Sequence, residues 1–396
     1  MKNAVGGALL GVAVLALAAC GGTTTAAGEA TTDAGGGDGV EIKLIDAQQD
    51  LLSFPSNRDP LKWPFRQDSI WNLPLSDSAV YLPADIGKAT EWGMTTDEDL
   101  IILTPDAPLT DVFTNYKDWS PNPDGNLRCA AEGPLLTQLP IPAEWTNDQP
   151  AGTTPNASAA VLKQDGLTLF QTQPLHRCTA GGYATSHYVF NEMNIKTGDG
   201  IEGSHGGSRM SSIGGSVRMG ELAPGGVIRH ALKINLFGKL NLFCASGESD
   251  GKDGYRWPAL ASDSGACSGV YGGTNPALQQ GSLLALRPDF DAGTLETEPA
   301  RIVASALRDY GAYVVDDTGW NVYALMTERG PAGDVAVEFN QTWGFELAPQ
   351  SRDNAWSRDM DRIFGVLNVV DNSAPSTPGG GPLNSTRRQP LAPAFE

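Results

Sequence analysis

Two apolar runs joined by a short polar turn make up residues 311–327, GAYVVDDTGWNVYALMT. The runs, GAYVVDD and NVYALMT, are rich in β-branched and aromatic residues, which favour extended strands. Between them, DDTG supplies residue types that favour a tight turn. Within the segment, VVDDTGWNVYAL (314–325) therefore predicts a β-hairpin, and with it a fold built on β-strands.

Further strand candidates extend this β pattern along the chain. In HALKINL (230–236), leucine and isoleucine alternate with lysine and asparagine, as expected of a strand with one buried face. GSLLALRP (281–288) and DVAVEFN (334–340) are also strand candidates. Because 47 glycines and 27 prolines recur in turn clusters, the sequence predicts an all-β fold, a jelly-roll-like β-sandwich.

A few peripheral α-helices are expected beside the strands. Residues 297–311 place apolar side chains at helical spacing after Thr297, an N-cap residue type, and end in glycine. Residues 357–371 repeat the pattern, with Ser357 as the expected N-cap. Both apolar stripes are expected to pack against a sheet.

The first twenty residues, MKNAVGGALLGVAVLALAAC, place a lysine before an apolar run that ends in a cysteine. This order is typical of a secretory signal peptide. The end of the run, LAAC, resembles the lipobox of bacterial lipoproteins. The resemblance implies that residues 1–19 are removed and that Cys20 carries the lipid. The body of the protein is then expected outside the cytoplasm, at the cell membrane or cell surface, with the lipid anchor as its only link to the membrane.

Low-complexity segments flank a single expected domain. Residues 21–39 contain no aromatic residue and no aliphatic residue larger than alanine, so residues 20–40 are expected to form a flexible tether. Residues 372–396 are rich in proline, glycine and serine, which predicts a disordered tail. Residues 41–371 are then expected to form one β-rich domain.

Charge and cysteine content limit the possible partners and the compartment. The net charge of −19 argues against nucleic acid as a partner. Apart from Cys20, the chain contains Cys129, Cys178, Cys244 and Cys267, an even number that predicts two disulfides in an oxidising compartment. Three pairings are possible. We favour Cys129 with Cys178 and Cys244 with Cys267, because the second pair brackets an insertion between apolar segments.

All four histidines fall within 55 residues, at positions 176, 187, 205 and 230. Such clustering raises the hypothesis of a metal or acid–base site. However, no HxH or HxxxH spacing occurs, and the cysteines contain no CxxC pair. The sequence therefore predicts no bound metal and no cofactor.

The glycine-rich segment 203–232 contains the first candidate site residues. His205 lies in a loop whose glycines bring the backbone close to a ligand or simply form tight turns. Arg209 and Arg218 are candidates for binding a uronic acid carboxylate, and Glu221 for acid–base chemistry. The alternative for Arg218 and Glu221 is a structural salt bridge.

Asp316 and Asp317 are adjacent carboxylates that a regular strand would point to opposite faces. A glycosidase needs two carboxylates flanking the scissile bond, so Asp317 would have to pair with Glu221 across the fold. The alternative is that both aspartates accept backbone hydrogen bonds at the turn.

Several short motifs recur in an uncharacterised group of secreted bacterial proteins. GELAPGGVIRHALKINL, YRWPA and ALRDYGAYVVDDTGW resemble that group's HAL strand, WPA turn and YGAY..D element. The resemblance covers residues 213–327 and implies a defined fold, but it implies no catalytic role. Trp257, in the WPA turn, is the candidate sugar-binding aromatic residue.

These patterns predict a lipid-anchored extracytoplasmic protein that acts on a polysaccharide or cell-envelope glycan, as a glycoside hydrolase or a polysaccharide lyase. In a hydrolase, Glu221 and Asp317 would be the catalytic carboxylates, while Arg218 and His205 hold the sugar. In a lyase, His205 or a tyrosine would be the base, and Arg209 or Arg218 would neutralise the uronate. The alternative is a non-catalytic carbohydrate-binding or envelope structural lipoprotein.

Overall fold

A computed structural model describes residues 54–116, 127–149, 156–245 and 253–395. The expected signal peptide, the lipidation site at Cys20 and the tether at residues 20–40 lie outside the described residues. The described residues belong almost entirely to one compact unit, Pro55–Glu396. Within the described ranges, every helix is too short or too polar to span a bilayer.

The described residues form sixteen β-strands and four α-helices. The strands are β1 (Tyr81–Pro83), β2 (Thr95–Ile102), β3 (Leu109–Thr114), β4 (Leu135–Pro140), β5 (Ala159–Leu162), β6 (Thr168–Gln173), β7 (Ala184–Ser186), β8 (Tyr188–Val189), β9 (Met193–Asn194), β10 (Glu202–His205), β11 (Leu232–Leu236), β12 (Leu283–Ala285), β13 (Ala312–Asp317), β14 (Tyr323–Gly330), β15 (Gly333–Asp334) and β16 (Asn368–Val370). The helices are α1 (Gly238–Asn241), α2 (Glu298–Asp309), α3 (Val335–Trp343) and α4 (Ala355–Phe364). The prediction of a mainly β fold with a few peripheral helices is confirmed.

Fifteen of the strands form two sheets. The large sheet has twelve strands in the order β1-β16-β12-β13-β11-β14-β2-β5-β6-β8, with β15 paired to β14 and β9 paired to β6. The small sheet has the order β4-β3-β7. The large sheet is mixed, since the pairs β11–β13, β14–β2 and β2–β5 are parallel.

The hairpin predicted for residues 314–325 is wrong, although both of its strands exist. β11 lies between β13 and β14, with Leu232 opposite Ala312 and Ile234 opposite Leu325. All five residues of β11 are buried. A strand buried on both faces is most stable at the centre of a sheet, where both of its edges are hydrogen-bonded. β11 therefore hydrogen-bonds to both β13 and β14, which in a hairpin would have bonded to each other.

Local capping explains where the helices depart from the sequence prediction. DVAVEFN, predicted as a strand, forms α3 because the Asp334 carboxylate accepts hydrogen bonds from two first-turn N–H groups. Val335 and Phe339, four residues apart, then face the core. The two predicted helices are confirmed as α2 and α4. The N-cap of α4 is Asn354 rather than Ser357, because the Asn354 side chain accepts from the Ser357 N–H.

Apolar clusters cover both faces of the large sheet. One cluster joins the strands to Val303 of α2 and Ile363 of α4, as the stripe pattern predicted. Another contains Trp71 and Tyr313, whose rings meet edge to face with centroids 5.4 Å apart. Phe65 and Trp71, which precede β1, are buried in this cluster, so the segment that contains them packs against the sheet.

Both predicted disulfides are present. Cys129 pairs with Cys178 and Cys244 with Cys267, at Cα–Cα distances of 5.7 and 5.2 Å. The first joins residues 49 positions apart and the second residues 23 positions apart. Each bridge closes a loop, which reduces the entropy of the unfolded chain.

The segment from residue 372 onward differs from the disordered tail expected for it. The Arg387 guanidinium donates to the Pro74 carbonyl at 2.6 Å, and Ala392 is buried. At the end of the segment, Arg58 donates to the Pro393 carbonyl at 2.7 Å and lies 3.9 Å from the Phe395 ring centroid. The two ends of the folded unit therefore meet.

Candidate functional site

A β-bulge brings Asp316 onto a polar patch of the large sheet. Along β11 and β13, Ile234 pairs with Val314, but the next residue, Asn235, pairs with Asp316. The extra residue is Val315, which lies in an apolar cluster. Asn235 shares a face of β11 with Lys233, because side chains alternate along a strand. The bulge therefore re-aims Asp316 to the face that carries Lys233, which a regular register would not do.

Asp97 and Asp99 join this patch from β2. They are two residues apart on one strand, so they share a face of the sheet. Asp99 is completely buried, and its carboxylate accepts from Lys233 Nζ and from Ser216 Oγ, both at 2.7 Å. Burial alone would raise the pKa of Asp99, but the Lys233 and His205 side chains outweigh it and hold the pKa below its ordinary value.

The glycines that follow His205 bring a loop close to the carboxylates. A Cβ on Gly206 would lie 2.1 Å from Asp316 Oδ2, and a Cβ on Gly207 would lie 2.4 Å from Asp263 Oδ1. The Gly207 N–H donates to Asp316 Oδ1 at 3.2 Å. Gly206 also has a φ of +48°. These two glycines are therefore needed for close approach between loop and carboxylates, beyond forming a turn.

His205 ends β10 with one ring nitrogen engaged and the other unpaired. Its Nδ1 lies 2.8 Å from Asp99 Oδ1, and an ionised carboxylate only accepts, so Nδ1 carries the proton. Its Nε2 makes no hydrogen bond among the described residues and lies 4.0 Å from Asp97 Oδ2. The side chain is fully buried. The unpaired Nε2 thus lies near Asp97 in the protein interior.

Two further carboxylates complete what we call the acidic cluster, formed by Asp97, Asp99, His205, Asp263, Asp316 and Asp317. Two groups of three side chains each bring their potential ligand atoms within 4.8 Å of one another. One group is Asp263, Asp316 and Asp317, and the other is Asp97, His205 and Asp316. The two groups share Asp316. Residues far apart in sequence thus converge on one aspartate.

Hydrogen bonds from neutral side chains hold the cluster together. The Asn156 amide donates to Asp97 Oδ2 at 2.6 Å and to Asp316 Oδ2 at 2.8 Å. The Tyr271 hydroxyl donates to Asp263 Oδ2 at 2.5 Å. Asp316 is only 6% exposed, whereas Asp97, Asp263 and Asp317 are partly exposed. The cluster therefore has a buried centre and a rim that reaches solvent.

Four of the five aspartates in the cluster lie in an environment that disfavours their ionisation, the exception being Asp99. Burial, and then the like charges of Asp263, Asp317 and Asp97, raise the pKa of Asp316 well above its ordinary value. Burial and the neighbouring Asp263 raise the pKa of Asp317 to about 7. Burial is also the main cause of the raised pKa of Asp97 and of Asp263. Unlike Asp99, these four carboxyl groups keep a raised pKa because no neighbouring cation among the described residues outweighs their burial.

Two predicted catalytic residues, His205 and Asp317, both lie in the acidic cluster. Arg209 is exposed, with a positive φ of +56°. Trp257 is partly exposed and packs against the apolar cluster that contains Trp71. Among the described residues, no side-chain hydrogen bond or ion pair links either of them to the cluster.

Glu221 and Arg218 belong to a different ion network. Glu221 accepts from His230 Nε2 at 3.1 Å and from the Arg218 N–H at 2.7 Å, while the Arg218 guanidinium donates to Glu328 at 2.8 Å. His230 Nδ1 also faces a carbonyl, that of Ala231, so both ring nitrogens donate and the imidazole is cationic. Burial would lower the pKa of His230, but Glu221 outweighs it and raises the pKa. Both residues are thus ion-paired, but not with each other as the salt-bridge alternative expected: Glu221 pairs with His230, the Arg218 guanidinium pairs with Glu328, and Glu221 accepts only the Arg218 backbone N–H.

Asp97, Asp99 and Asp263 were not among the residues predicted from the sequence. The available signal was the D-x-D spacing in TTDEDLIIL, since a strand at this position places both aspartates on one face. Asp263 lies in the insertion between Cys244 and Cys267, where no local pattern indicates a role.

No protein-family model matches the chain. Comparisons with curated proteins and with solved structures likewise found no similar protein. Interpretation of the acidic cluster therefore depends on the chemistry of its own side chains.

Proposed function

We propose that this protein is an extracytoplasmic enzyme that cleaves polysaccharide at the acidic cluster, most simply as a glycoside hydrolase. The observation that carries the proposal is the convergence of Asp263 and Asp317 beside Asp316, with carboxylate atoms within 4.8 Å of one another. Paired carboxyl groups are what glycoside hydrolysis requires. Both Asp263 and Asp317 are partly exposed, so the pair lies on the solvent-facing rim of the cluster.

The energetic cost of the cluster supports a functional role. Burying several carboxyl groups with few cations is destabilising, and folded proteins retain such arrangements mainly where chemistry or binding needs them. By contrast, Glu221 and Arg218 are paired within their own network. The proposal therefore moves the catalytic carboxylates from the predicted Glu221–Asp317 pair to Asp263 and Asp317.

Geometry also favours hydrolysis over elimination. A lyase needs a free cation at the site to neutralise the uronate, but the Arg218 guanidinium already binds the Glu328 carboxylate and two backbone carbonyls. The exposed Arg209 side chain makes no hydrogen bond or ion pair to the acidic cluster among the described residues. A close carboxyl pair is typical of retaining glycosidases, in which the groups are about 5–5.5 Å apart. We therefore expect net retention of anomeric configuration, with one aspartate as nucleophile and the other as acid–base catalyst.

The proposed extracytoplasmic location has independent support from the cysteines. Both disulfides join cysteines at bonding distance, and disulfides persist mainly in oxidising compartments. Cys20 lies outside the described ranges. Its lipidation, and with it the lipid anchor, is therefore part of the proposal.

Activity is tested by following reducing ends and absorbance at the wavelength of unsaturated uronates, using neutral and uronate polysaccharides. Reducing ends without the absorbance change indicate hydrolysis. We expect Asp317→Asn to lose activity by about 10²-fold or more, because an acid–base or nucleophilic group is removed. Asp353→Asn, which removes a fully exposed carboxylate, is the matched control and should retain activity.

The outcomes separate the competing assignments. Loss of activity in a folded Glu221→Gln protein, with Asp317→Asn unaffected, would move the catalytic centre to the Glu221 network. Retention of the protein by a polysaccharide gel without any product would instead favour the non-catalytic carbohydrate-binding alternative.

A further inference from the structure

We propose that Asp97, His205 and Asp316 bind a divalent transition-metal cation, Zn²⁺ or Mn²⁺, at the centre of the acidic cluster. The inference goes beyond the cleavage reaction proposed above and stands without it, because it depends only on the geometry of these three side chains. It also departs from the absence of metal predicted from the histidine spacing.

The unpaired His205 Nε2 is the first reason. A buried polar atom without a partner is destabilising, and such atoms are rare in native proteins. His205 Nε2 is completely buried, makes no hydrogen bond among the described residues, and faces Asp97 Oδ2 at 4.0 Å. That distance is too long for a hydrogen bond. It leaves room for an ion that both atoms bind.

The spacing of the ligand atoms is the second reason. Ligands of one tetrahedral zinc ion lie about 3.4 Å apart, given metal–ligand distances of about 2.1 Å. Atoms from Asp97, His205 and Asp316 already lie within 4.8 Å of one another. Small side-chain rotations would complete the site. Asn156 donates to both carboxylates and so holds the two oxygens on the same side of the sheet.

Charge balance is the third reason. The acidic cluster contains five carboxyl groups, and the ammonium group bonded to it is that of Lys233, which pairs with Asp99. Lys233 thus neutralises a carboxylate outside the three proposed ligands. A bound dication would neutralise Asp97 and Asp316 and remove the repulsion between them.

The surroundings of His205 match those of metal-binding histidines. Such a histidine commonly donates its second ring N–H to a carboxylate, which fixes the tautomer and orients the ring. Asp99 accepts from His205 Nδ1 at 2.8 Å and is itself held by Lys233 and Ser216. Asp99 is therefore a positioning residue, and Nε2 is left as the ligand atom.

The donor set identifies the class of cation. Carboxylates suit Mg²⁺, Ca²⁺ or Mn²⁺, whereas imidazole suits Zn²⁺ and the copper, iron and nickel ions. One imidazole with two carboxylates therefore favours Zn²⁺ or Mn²⁺. Asp97 has a side chain that is 16% exposed, which gives the ion a route from solvent.

The test is isothermal titration of the full chain, first stripped with EDTA, with Zn²⁺ or Mn²⁺ and no polysaccharide present. We expect saturable binding of at least one equivalent. Asp97→Asn keeps the size of the side chain but removes the charge, so affinity should fall about tenfold or more. Asp353→Asn is the control and should bind like the wild type, and circular dichroism verifies that each variant is folded.

Absence of binding to the folded wild-type chain would overturn the inference, as would equal affinity of wild type and Asp97→Asn. Different outcomes would overturn the proposed enzyme function. Cation binding without polysaccharide cleavage supports the cation site and removes the function. Cleavage that survives EDTA in a chain that binds neither ion removes the cation site and leaves the function.

Discussion

Gly206 illustrates how a single residue makes the acidic cluster possible. It combines a φ of +48° with a position at which any Cβ would lie 2.1 Å from Asp316 Oδ2. The backbone conformation and the space available therefore both require glycine. The peptide that follows supplies the Gly207 N–H to Asp316, so the residue positions a hydrogen-bond donor as well as a turn.

Gly206→Ala is expected to destabilise the protein by about 1–3 kcal/mol more than Gly166→Ala does. Gly166 also has a positive φ, +66°, but nothing lies within 4 Å of its added Cβ. Backbone strain of about 1–2 kcal/mol is then common to both variants. The difference isolates the clash with Asp316 and is measured by urea-induced unfolding. Equal losses of stability would show that Asp316 adjusts without cost.

Part of the acidic cluster could be predicted from the sequence, residue by residue. His205 and Asp317 were found because a histidine followed by two glycines and a carboxylate near a turn are conspicuous in a single sequence. Asp316 was expected to face away from Asp317, because the strand was assumed to be regular. The carboxylates of Asp316 and Asp317 nevertheless converge with that of Asp263, and the bulge at Val315 sets which face of the sheet Asp316 takes. A bulge depends on the partner strand rather than on local sequence.

At the scale of whole elements, the sequence predicts which segments are strands better than it predicts how they pair. β11, β13 and β14 all form where alternation or β-branched residues predicted them. The hairpin was wrong because β11, about 80 residues earlier in the chain, takes the position between β13 and β14. DVAVEFN became a helix because its capping aspartate and its Val335–Phe339 spacing suit α3.

Capping of α4 gives a prediction for a single element. Asn354→Ala should destabilise the protein by about 1 kcal/mol, because the side-chain acceptor for the Ser357 N–H is lost. Ser357→Ala should cost about 0.5 kcal/mol, since its hydroxyl makes only a long 3.3 Å bond to the Ser351 carbonyl. Thermal unfolding of both variants provides the comparison. A larger loss for Ser357→Ala would restore Ser357 as the cap.

At the scale of the whole molecule, the C-terminal segment is part of the folded unit. Its proline, glycine and serine content resembles that of a disordered tail, because composition alone does not reveal long-range contacts. Arg387 donates to the carbonyls of Pro74, Pro378, Gly381 and Pro382. One guanidinium thus ties residues more than 300 positions apart, and it also holds its own segment in a turn.

Arg387→Gln is expected to lower the free energy of unfolding by about 3 kcal/mol, because hydrogen bonds from a charged donor are lost and several carbonyls lose their partner. Arg66→Gln serves as the control, since Arg66 forms an exposed ion pair with Asp68 and should change stability by about 0.5 kcal/mol or less. Guanidinium-induced unfolding measures both. Similar values for the two variants would mean that the C-terminal segment adds little to the stability of the fold.

The meeting of the two chain ends makes the folded unit close to a ring in topological terms. β1, its first strand, pairs with β16, its last, and Arg58 contacts both Pro393 and Phe395. A short linker between the ends would close the ring, and a new opening in an exposed loop would create a circular permutant with the same sheet order. The order in which the strands are synthesised is thus separable from the architecture that they form.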